Sequence, residues 1–169
     1  SNELMVKNFQ IVKDSGIPFS VNNILGFPHE TEELAFDTIR LNKNIDANDR
    51  NAYAFTPFHG TPLRDECERL GYLKYEDISR SLVVGLDKSP LDMPQFPRDR
   101  VMALVKTFNL YVKFPESRWP EIRKAGEETP EGHRVYEGLK AEFIERFWNK
   151  DDEDFEAAAL EKTAPLPAN

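Results

Sequence analysis

Two short segments in the first half of the chain carry the residues best suited to bind a ligand. The first is Gly26-Phe27-Pro28-His29-Glu30-Thr31, and the second is Pro57-Phe58-His59-Gly60-Thr61-Pro62-Leu63. Each follows a short apolar stretch, residues 19–25 and 52–55, that predicts a buried strand. Each also contains a threonine that can cap the helix after it. Ligands of parallel α/β folds bind where strands end and such turns begin, so the two segments predict a binding site.

Glycine and proline give the first segment its expected geometry. Gly26 lets the backbone come close to a ligand, and Pro28 stiffens the turn. Glu30 is expected to brace the turn by accepting backbone N–H bonds, rather than to act in catalysis. The alternative is that the segment is only a tight turn between a strand and a helix.

The other polar residues each allow a functional and a structural interpretation. Asn22 and Asn23 lie in an apolar strand, where an amide either binds a ligand or is satisfied within the core. His29 and His59 follow the two strands and could move protons at one cavity, or they are surface loop residues. Cys67 is expected to be a small core residue, since no basic partner stands beside it in sequence.

Helices and strands alternate in the first part of the chain. Helical spacing over residues 3–15 is followed by a strand, a helix capped by Thr31, a second strand, and a short helix capped by Thr61. This order predicts parallel βα units, with a weaker third strand at residues 82–84. The predicted fold class is therefore α/β, with this part extending over residues 1–96.

The second part of the chain is predicted to be helical. Residues 98–113 have an amphipathic pattern, and further helices begin at Trp119-Pro120 and Thr129-Pro130. We assign residues 97–150 to an α-helical C-terminal extension in which His133 is solvent-exposed. Residues 151–169 are acidic and then rich in alanine and proline, which predicts a disordered tail.

Charge and composition narrow the function classes. The 169 residues carry a formal net charge of -8, which disfavours binding to nucleic acid or anionic membranes. Neither a membrane span nor a signal peptide is evident, so a cytoplasmic protein is expected. Cys67 is the single cysteine, so this chain cannot by itself hold a multi-cysteine metal or iron–sulfur site.

The two segments, taken together, resemble the C-terminal half of the radical S-adenosylmethionine (SAM) barrel. In that family a fifth strand ends in Gly-Leu/Phe-Pro-Gly-Glu-Thr, and a sixth ends in Pro-aromatic-Pro-Gly-Thr-x-Leu. Here His29 stands where the family usually has glycine, and His59 where proline is common. The resemblance covers roughly residues 3–124 and is strongest to the branch in which a cobalamin-binding domain often precedes the barrel.

The resemblance implies a partial parallel βα barrel of two or three strands, followed by the helical extension. The parent enzyme would cleave SAM reductively at a [4Fe–4S] cluster whose cysteine loop is absent from this chain, and cobalamin is allowed in the parent. This chain would be inactive alone, with no cofactor bound. The resemblance assigns the adenine side of the SAM pocket to Ile24 and to the backbone of Phe55, Thr56 and Pro57. The full set of candidate binding residues comprises Asn22, Ile24, Gly26, Pro28, Phe55, Thr56 and Pro57.

Two other functions remain open at this point. The chain could be a non-catalytic α/β domain whose helical extension binds a partner protein. It could also belong to a metal-independent, aldolase-like barrel. Such an enzyme is expected to carry a lysine at a strand end, and no lysine lies on either predicted strand. The substrate and the catalytic residues are not identified. A half barrel leaves a strand edge and apolar helix faces uncovered, so self-association is expected in preference to the C-terminal helices folding back over the open side.

Overall fold

A computed structural model of the chain describes residues 1–73 and 89–148. In the first part, helix α1 (Asn2–Asp14) leads to strand β1 (Ser20–Leu25), helix α2 (Glu32–Ile45), strand β2 (Asp49–Ala54) and helix α3 (Pro62–Arg69). In the second part, helix α4 (Arg98–Lys113) and a 3₁₀ turn (Glu116–Arg118) precede helix α5 (Trp119–Ala125) and helix α6 (Pro130–Phe143). A π-helical turn, Ile144–Trp148, continues α6. The protein is therefore of the mixed α/β class.

Local sequence chemistry accounts for the helix starts. The side-chain oxygens of Thr31, Thr61 and Thr129 each accept a hydrogen bond from a backbone N–H in the first turn of α2, α3 and α6. Proline occupies the first turn of α3, α5 and α6, where its missing N–H costs no helical hydrogen bond. The predicted positions of these helices are confirmed.

The two strands form a parallel pair, as predicted. Ser20 is aligned with Asp49 at one end and Leu25 with Ala54 at the other. Strand β2 therefore begins at Asp49 rather than at Ala52, because β1 pairs with polar residues that an apolar pattern does not detect. No closed barrel is present among the described residues. The predicted strand at 82–84 and the predicted tail at 151–169 lie outside them.

The sheet has one covered and one open face. Asn23, Leu25 and Ala54 lie on the covered face, beneath α2 and α4. Ile24 and Tyr53 lie on the open face and are 48% and 49% exposed. Helix α4 thus folds against the first part of the chain, but it leaves this open face uncovered within the described ranges.

One cluster of buried residues joins the two parts of the chain. It draws side chains from β1 and from α2 to α6, and partly buried residues of β2 pack against it. Its largest fully buried apolar members are Leu25, Ile39, Leu91, Met93, Phe96, Leu104, Phe108, Tyr111, Phe114, Ile122 and Leu139. The amphipathic patterns predicted for α4 and α6 are confirmed by this packing. None of the described helices is both long and apolar enough to cross a membrane.

The helical pattern of α2 predicts that Leu34, Thr38, Ile39 and Ile45 lie on one buried side of the helix, and the structure departs from this prediction at one position. Ile39 and Ile45 are buried, as expected, but Leu34 is 51% exposed. Ala35 and Asn42 complete the buried stripe instead. A small residue and an amide give little hydrophobic signal, so the position of the stripe was predicted wrongly at Leu34.

Candidate functional site

The candidate site lies where β1 and β2 end. A cavity of about 360 Å³ opens there, between the strand ends, the turns that follow them and helix α4. Its lining consists of Ile24, Phe27, Ala52, Tyr53, Ala54, Phe55, Thr56, Phe58, Met102 and Val105. Three of the candidate binding residues, Ile24, Phe55 and Thr56, therefore line one cavity.

The cavity lining is apolar and aromatic. Phe27 lies against Phe55, with ring centroids 4.6 Å apart and an interplanar angle of 31°. No lysine, arginine, histidine or carboxylate from the described residues lines the cavity. The side-chain polar groups of its lining are the hydroxyls of Tyr53 and Thr56. Such a cavity suits an uncharged flat ring, which can pack against aromatic and aliphatic faces.

Sequence analysis did not assign several of these lining residues. Tyr53 aligns with Ile24 in the sheet, so alternation along β2 could have found it. Phe27 and Phe58 occupy the two motif segments and could have been found as aromatic neighbours of the turns. Met102 and Val105 belong to α4 and reach the cavity through tertiary packing, for which the sequence offers no local signal.

Glu30 holds the turn after β1. Its Oε2 atom accepts hydrogen bonds from the backbone N–H groups of Gly26 and Phe27. Burial raises the pKa of the Glu30 carboxyl, while the bonds from Gly26 and Phe27 act in the opposite direction. The predicted role in bracing the turn is confirmed.

Gly26 has a positive φ of 86° and lies close to helix α4. A Cβ atom added there would lie 2.9 Å from Cγ1 of Val101. The close approach that this glycine permits is therefore to α4, within the protein. Pro28 is buried in the same turn. Both residues shape the turn that carries Phe27 to the cavity.

The two adjacent asparagines face opposite sides of the sheet. Asn23 is buried and exchanges hydrogen bonds with Asn42, at 2.8 and 3.2 Å, and also donates to the carbonyl of Asn51 at 3.1 Å. The interpretation of Asn23 as a satisfied core amide is confirmed. Asn22 is exposed on the open face, where its Oδ1 accepts a bond from Asn51 Nδ2 at 3.2 Å. Asn22 therefore shares the open face with Ile24 but does not line the cavity.

Neither loop histidine lines the cavity. The Nε2 atom of His29 lies 2.9 Å from Oε1 of Glu66 on α3, and the His29 side chain is 62% exposed. The φ angle of His29 is 72°, in the left-handed region. His59 is exposed. The expectation that the two histidines share this cavity is wrong, because the turn directs His29 toward α3.

Three further residues that the sequence analysis considered lie away from the cavity lining. Cys67 is fully buried, and burial raises the pKa of its thiol to about 11, as expected of an unreactive core cysteine. The carbonyl of Pro57 accepts a hydrogen bond from Arg64 at 3.3 Å, which ties the second segment to α3. His133 is exposed and lies 3.1 Å from Glu128.

The part of the chain that the structure describes contains no group of three or more histidine, cysteine, aspartate or glutamate side chains arranged to hold a metal ion. No family model, no curated protein and no solved structure matches the chain.

Proposed function

We propose that this chain is the later part of a radical SAM enzyme and forms the wall of the SAM pocket that packs against the adenine ring. The observation that carries the proposal is the cavity at the ends of two parallel strands, where Ile24, Phe55 and Thr56 come together. Ile24 lies in the strand that leads into the first of the two segments that resemble the family, and Phe55 and Thr56 lie directly before the second. The parent protein would form a parallel barrel to which β1 and β2 contribute adjacent strands.

The cavity suits adenine in shape and polarity. Adenine is flat and uncharged, and the faces of Phe27, Phe55 and Ile24 offer it apolar contact. The Phe55 N–H already donates to the Leu25 carbonyl at 2.7 Å, so hydrogen bonds of the base edge would go to the Phe55 carbonyl or to the backbone of Thr56, where β2 ends. The role of these residues is to bind the base, orient it and exclude water from it.

The backbone of the two segments also supports the proposal. His29 stands where the family usually has glycine, and its φ of 72° is a conformation that glycine adopts without strain. Gly60 in the second segment has a φ of 77°. The turn therefore keeps a glycine-like conformation although the residue has changed.

The residues of this chain do not fit a [4Fe–4S] cluster. A cluster of the family type needs three cysteine thiolates, and the chain contains only Cys67, which is buried. The cluster ligands must come from outside this sequence. SAM bound at such a cluster would supply a 5′-deoxyadenosyl radical in the parent enzyme.

The proposal can be tested with the adenosine part of the cofactor. Saturation-transfer NMR with millimolar 5′-deoxyadenosine should give enhancement at the adenine H2 and H8 protons. Ile24→Asp should abolish it, because an unpaired carboxylate against the ring face costs on the order of several kcal/mol. Leu34→Asp is the matched control, since Leu34 on α2 is 51% exposed against 48% for Ile24.

Equal enhancement in both folded variants, or none in the wild-type chain, would overturn the proposal. The absence of enhancement in the wild-type chain would leave the second candidate, a non-catalytic α/β domain with a helical partner-binding extension.

A further inference from the structure

A pair of side chains outside the cavity joins the turn after β1 to the helix that follows β2. The Nε2 atom of His29, in the turn after β1, lies 2.9 Å from Oε1 of Glu66 on α3. Neither side chain is among the described residues that line the cavity at the strand ends. The pair therefore lies beside the candidate site without forming part of its wall.

The turn after β1 is braced internally, so a movement of His29 carries Phe27 with it. Oε2 of Glu30 accepts hydrogen bonds from the backbone N–H groups of Gly26 and Phe27. The N–H of Glu30 donates in turn to the Phe27 carbonyl at 3.0 Å. Phe27 supplies part of the cavity wall. The position of His29 therefore affects the position of one aromatic wall.

Helix α3 is bonded in a similar way to the segment after β2. The N–H and the hydroxyl of Thr61 both donate to the carbonyl of Phe58, at 3.3 and 2.8 Å. The Arg64 guanidinium donates to the Pro57 carbonyl at 3.3 Å. Because Phe58 also lines the cavity, these bonds connect Glu66, one turn further along α3, to a second aromatic wall.

The backbone of His29 is strained in a way that the contact with Glu66 helps to maintain. Its φ of 72° lies in the left-handed region, which is unfavourable for a residue with a Cβ atom. Strained conformations of this kind persist where surrounding contacts enforce them, and they cluster at ligand-binding clamps. The hydrogen bond to Glu66 is such a contact.

A second pair, His133 and Glu128, has similar geometry and is called the comparison pair below. Its side-chain atoms lie 3.1 Å apart, and the His133 side chain is 60% exposed, against 62% for His29. The comparison pair joins residues that are five positions apart, whereas His29 and Glu66 are 37 positions apart. Of these two pairs, only His29 and Glu66 connect the two turns at the cavity.

We propose that the pair of His29 and Glu66 holds the turn after β1 and the segment after β2 at a fixed separation, and so keeps the cavity ready to bind a flat ring. This inference rests on the function proposed above, because it concerns the same cavity. His29 is a positioning residue that acts through Phe27, and Glu66 acts through Phe58. Without the pair the two aromatic walls separate for part of the time, and the affinity falls with the fraction of molecules in the binding-competent state.

Amide hydrogen exchange tests the proposal without a ligand. The N–H of Phe55 donates to the Leu25 carbonyl at 2.7 Å, where the two strands end, so its exchange rate reports how often the two turns separate. His29→Asn removes the pair but keeps a residue type that accepts a positive φ, and Glu66→Ala removes the pair from the other side. Each variant should make the Phe55 N–H exchange about two- to fivefold faster, and the double variant should be no faster than either single one. The same substitutions in the comparison pair should leave the rate unchanged.

The affinity for 5′-deoxyadenosine, measured by ligand-observed NMR titration, gives a second readout. His29→Asn and Glu66→Ala should each bind it about two- to fivefold more weakly. The urea midpoint of His29→Asn should not fall, because asparagine relieves the backbone strain, whereas a purely structural role would lower affinity and midpoint together. Arg69→Gln should not weaken binding, although Arg69 Nη2 also lies 3.4 Å from Oε1 of Glu66.

Unchanged exchange at Phe55 in both variants would overturn the proposal, whether or not the ligand binds. Equal affinities of the wild-type chain and the two variants, for a ligand that the wild-type chain binds, would overturn it as well. If the wild-type chain does not bind 5′-deoxyadenosine while exchange at Phe55 responds as expected, the function proposed for the cavity fails, and the role of the pair in holding the two turns is supported.

Discussion

The buried amide pair of Asn23 and Asn42 is expected to stabilise the fold only as a pair. Asn23 on β1 and Asn42 on α2 exchange two side-chain hydrogen bonds, at 2.8 and 3.2 Å. Asn42 also donates to the carbonyl of Thr38 at 2.9 Å, and Asn23 to that of Asn51 at 3.1 Å. Both side chains are buried, at 8% and 2% exposure, so water cannot replace a lost partner.

The magnitude follows from the atoms that each substitution leaves without a partner. Asn23→Val removes the donor to Asn42 Oδ1, and Asn42→Ala removes the donor to Asn23 Oδ1. Each single variant should lose about 1–3 kcal/mol of unfolding free energy, since it leaves one buried acceptor unsatisfied. The double variant leaves neither amide behind. Its loss should therefore be smaller than the sum of the two single losses by at least about 1 kcal/mol.

Urea unfolding followed by circular dichroism measures the three free energies. Asn44→Ala, at an exposed position of the same helix, is the control and should change stability by less than about 0.5 kcal/mol. Strict additivity of the two single losses would refute the reasoning. It would mean that the amides contribute through separate partners and not through each other.

Three further predictions concern assembly, strain and pH. The chain should self-associate through the open sheet face and through the edge of β1 that pairs with no other described strand. Light scattering after size exclusion should therefore give a mass that rises with concentration, and a monomer throughout would contradict this. His29→Gly should be more stable to urea than His29→Ala by about 1 kcal/mol, since both lose the Glu66 contact but glycine tolerates a φ of 72°; equal midpoints would exclude strain at this position. Arg100→Met should lower the free energy of unfolding by about 1 kcal/mol at pH 7, because a side-chain hydrogen bond from Arg100 lowers the pKa of Glu32. This contribution is present above the unfolded pKa of Glu32 and is lost as pH falls through the lower folded pKa. The urea stabilities of wild type and variant should therefore converge as the pH falls below the ordinary pKa of a glutamate, and a gap that persists in acid would count against this explanation.

Features encoded in adjacent residues could be predicted from the sequence. Thr31 and Thr61 cap helices because a threonine hydroxyl reaches an N–H of the first turn in the same short segment. The same holds for Glu30, whose carboxylate reaches back to Gly26 within the turn. Parallel strands also followed from the order of elements along the chain.

Features that depend on the relative placement of separate elements could not be predicted. Whether Asn23 contacts Asn42 depends on which side of α2 packs against β1. The exposure of Leu34 shows that hydrophobicity alone does not identify this side. The contribution of Met102 and Val105 to the cavity likewise requires α4 to pack beside the strand ends. Such contacts join residues far apart in sequence, and single-sequence patterns describe each element only by itself.

Several contacts make the helical extension part of the candidate site. Arg100 of α4 and Arg123 of α5 both bond to Glu32, in the first turn of α2, at 2.5 and 2.8 Å. Val101 fills the space that Gly26 leaves open, next to the turn that carries Phe27.

These contacts fix α4 against the turn after β1, and the same helix lines the cavity with Met102 and Val105. A disturbance at Arg100 should therefore reach the cavity through a movement of α4. Arg100→Met should lower the affinity for 5′-deoxyadenosine more than Arg134→Met, whose guanidinium lies at an exposed position of α6. Ligand-observed NMR titration of the two variants measures this difference. Equal affinities would show that the contact between Arg100 and Glu32 does not hold α4 in the position that binding at the cavity needs.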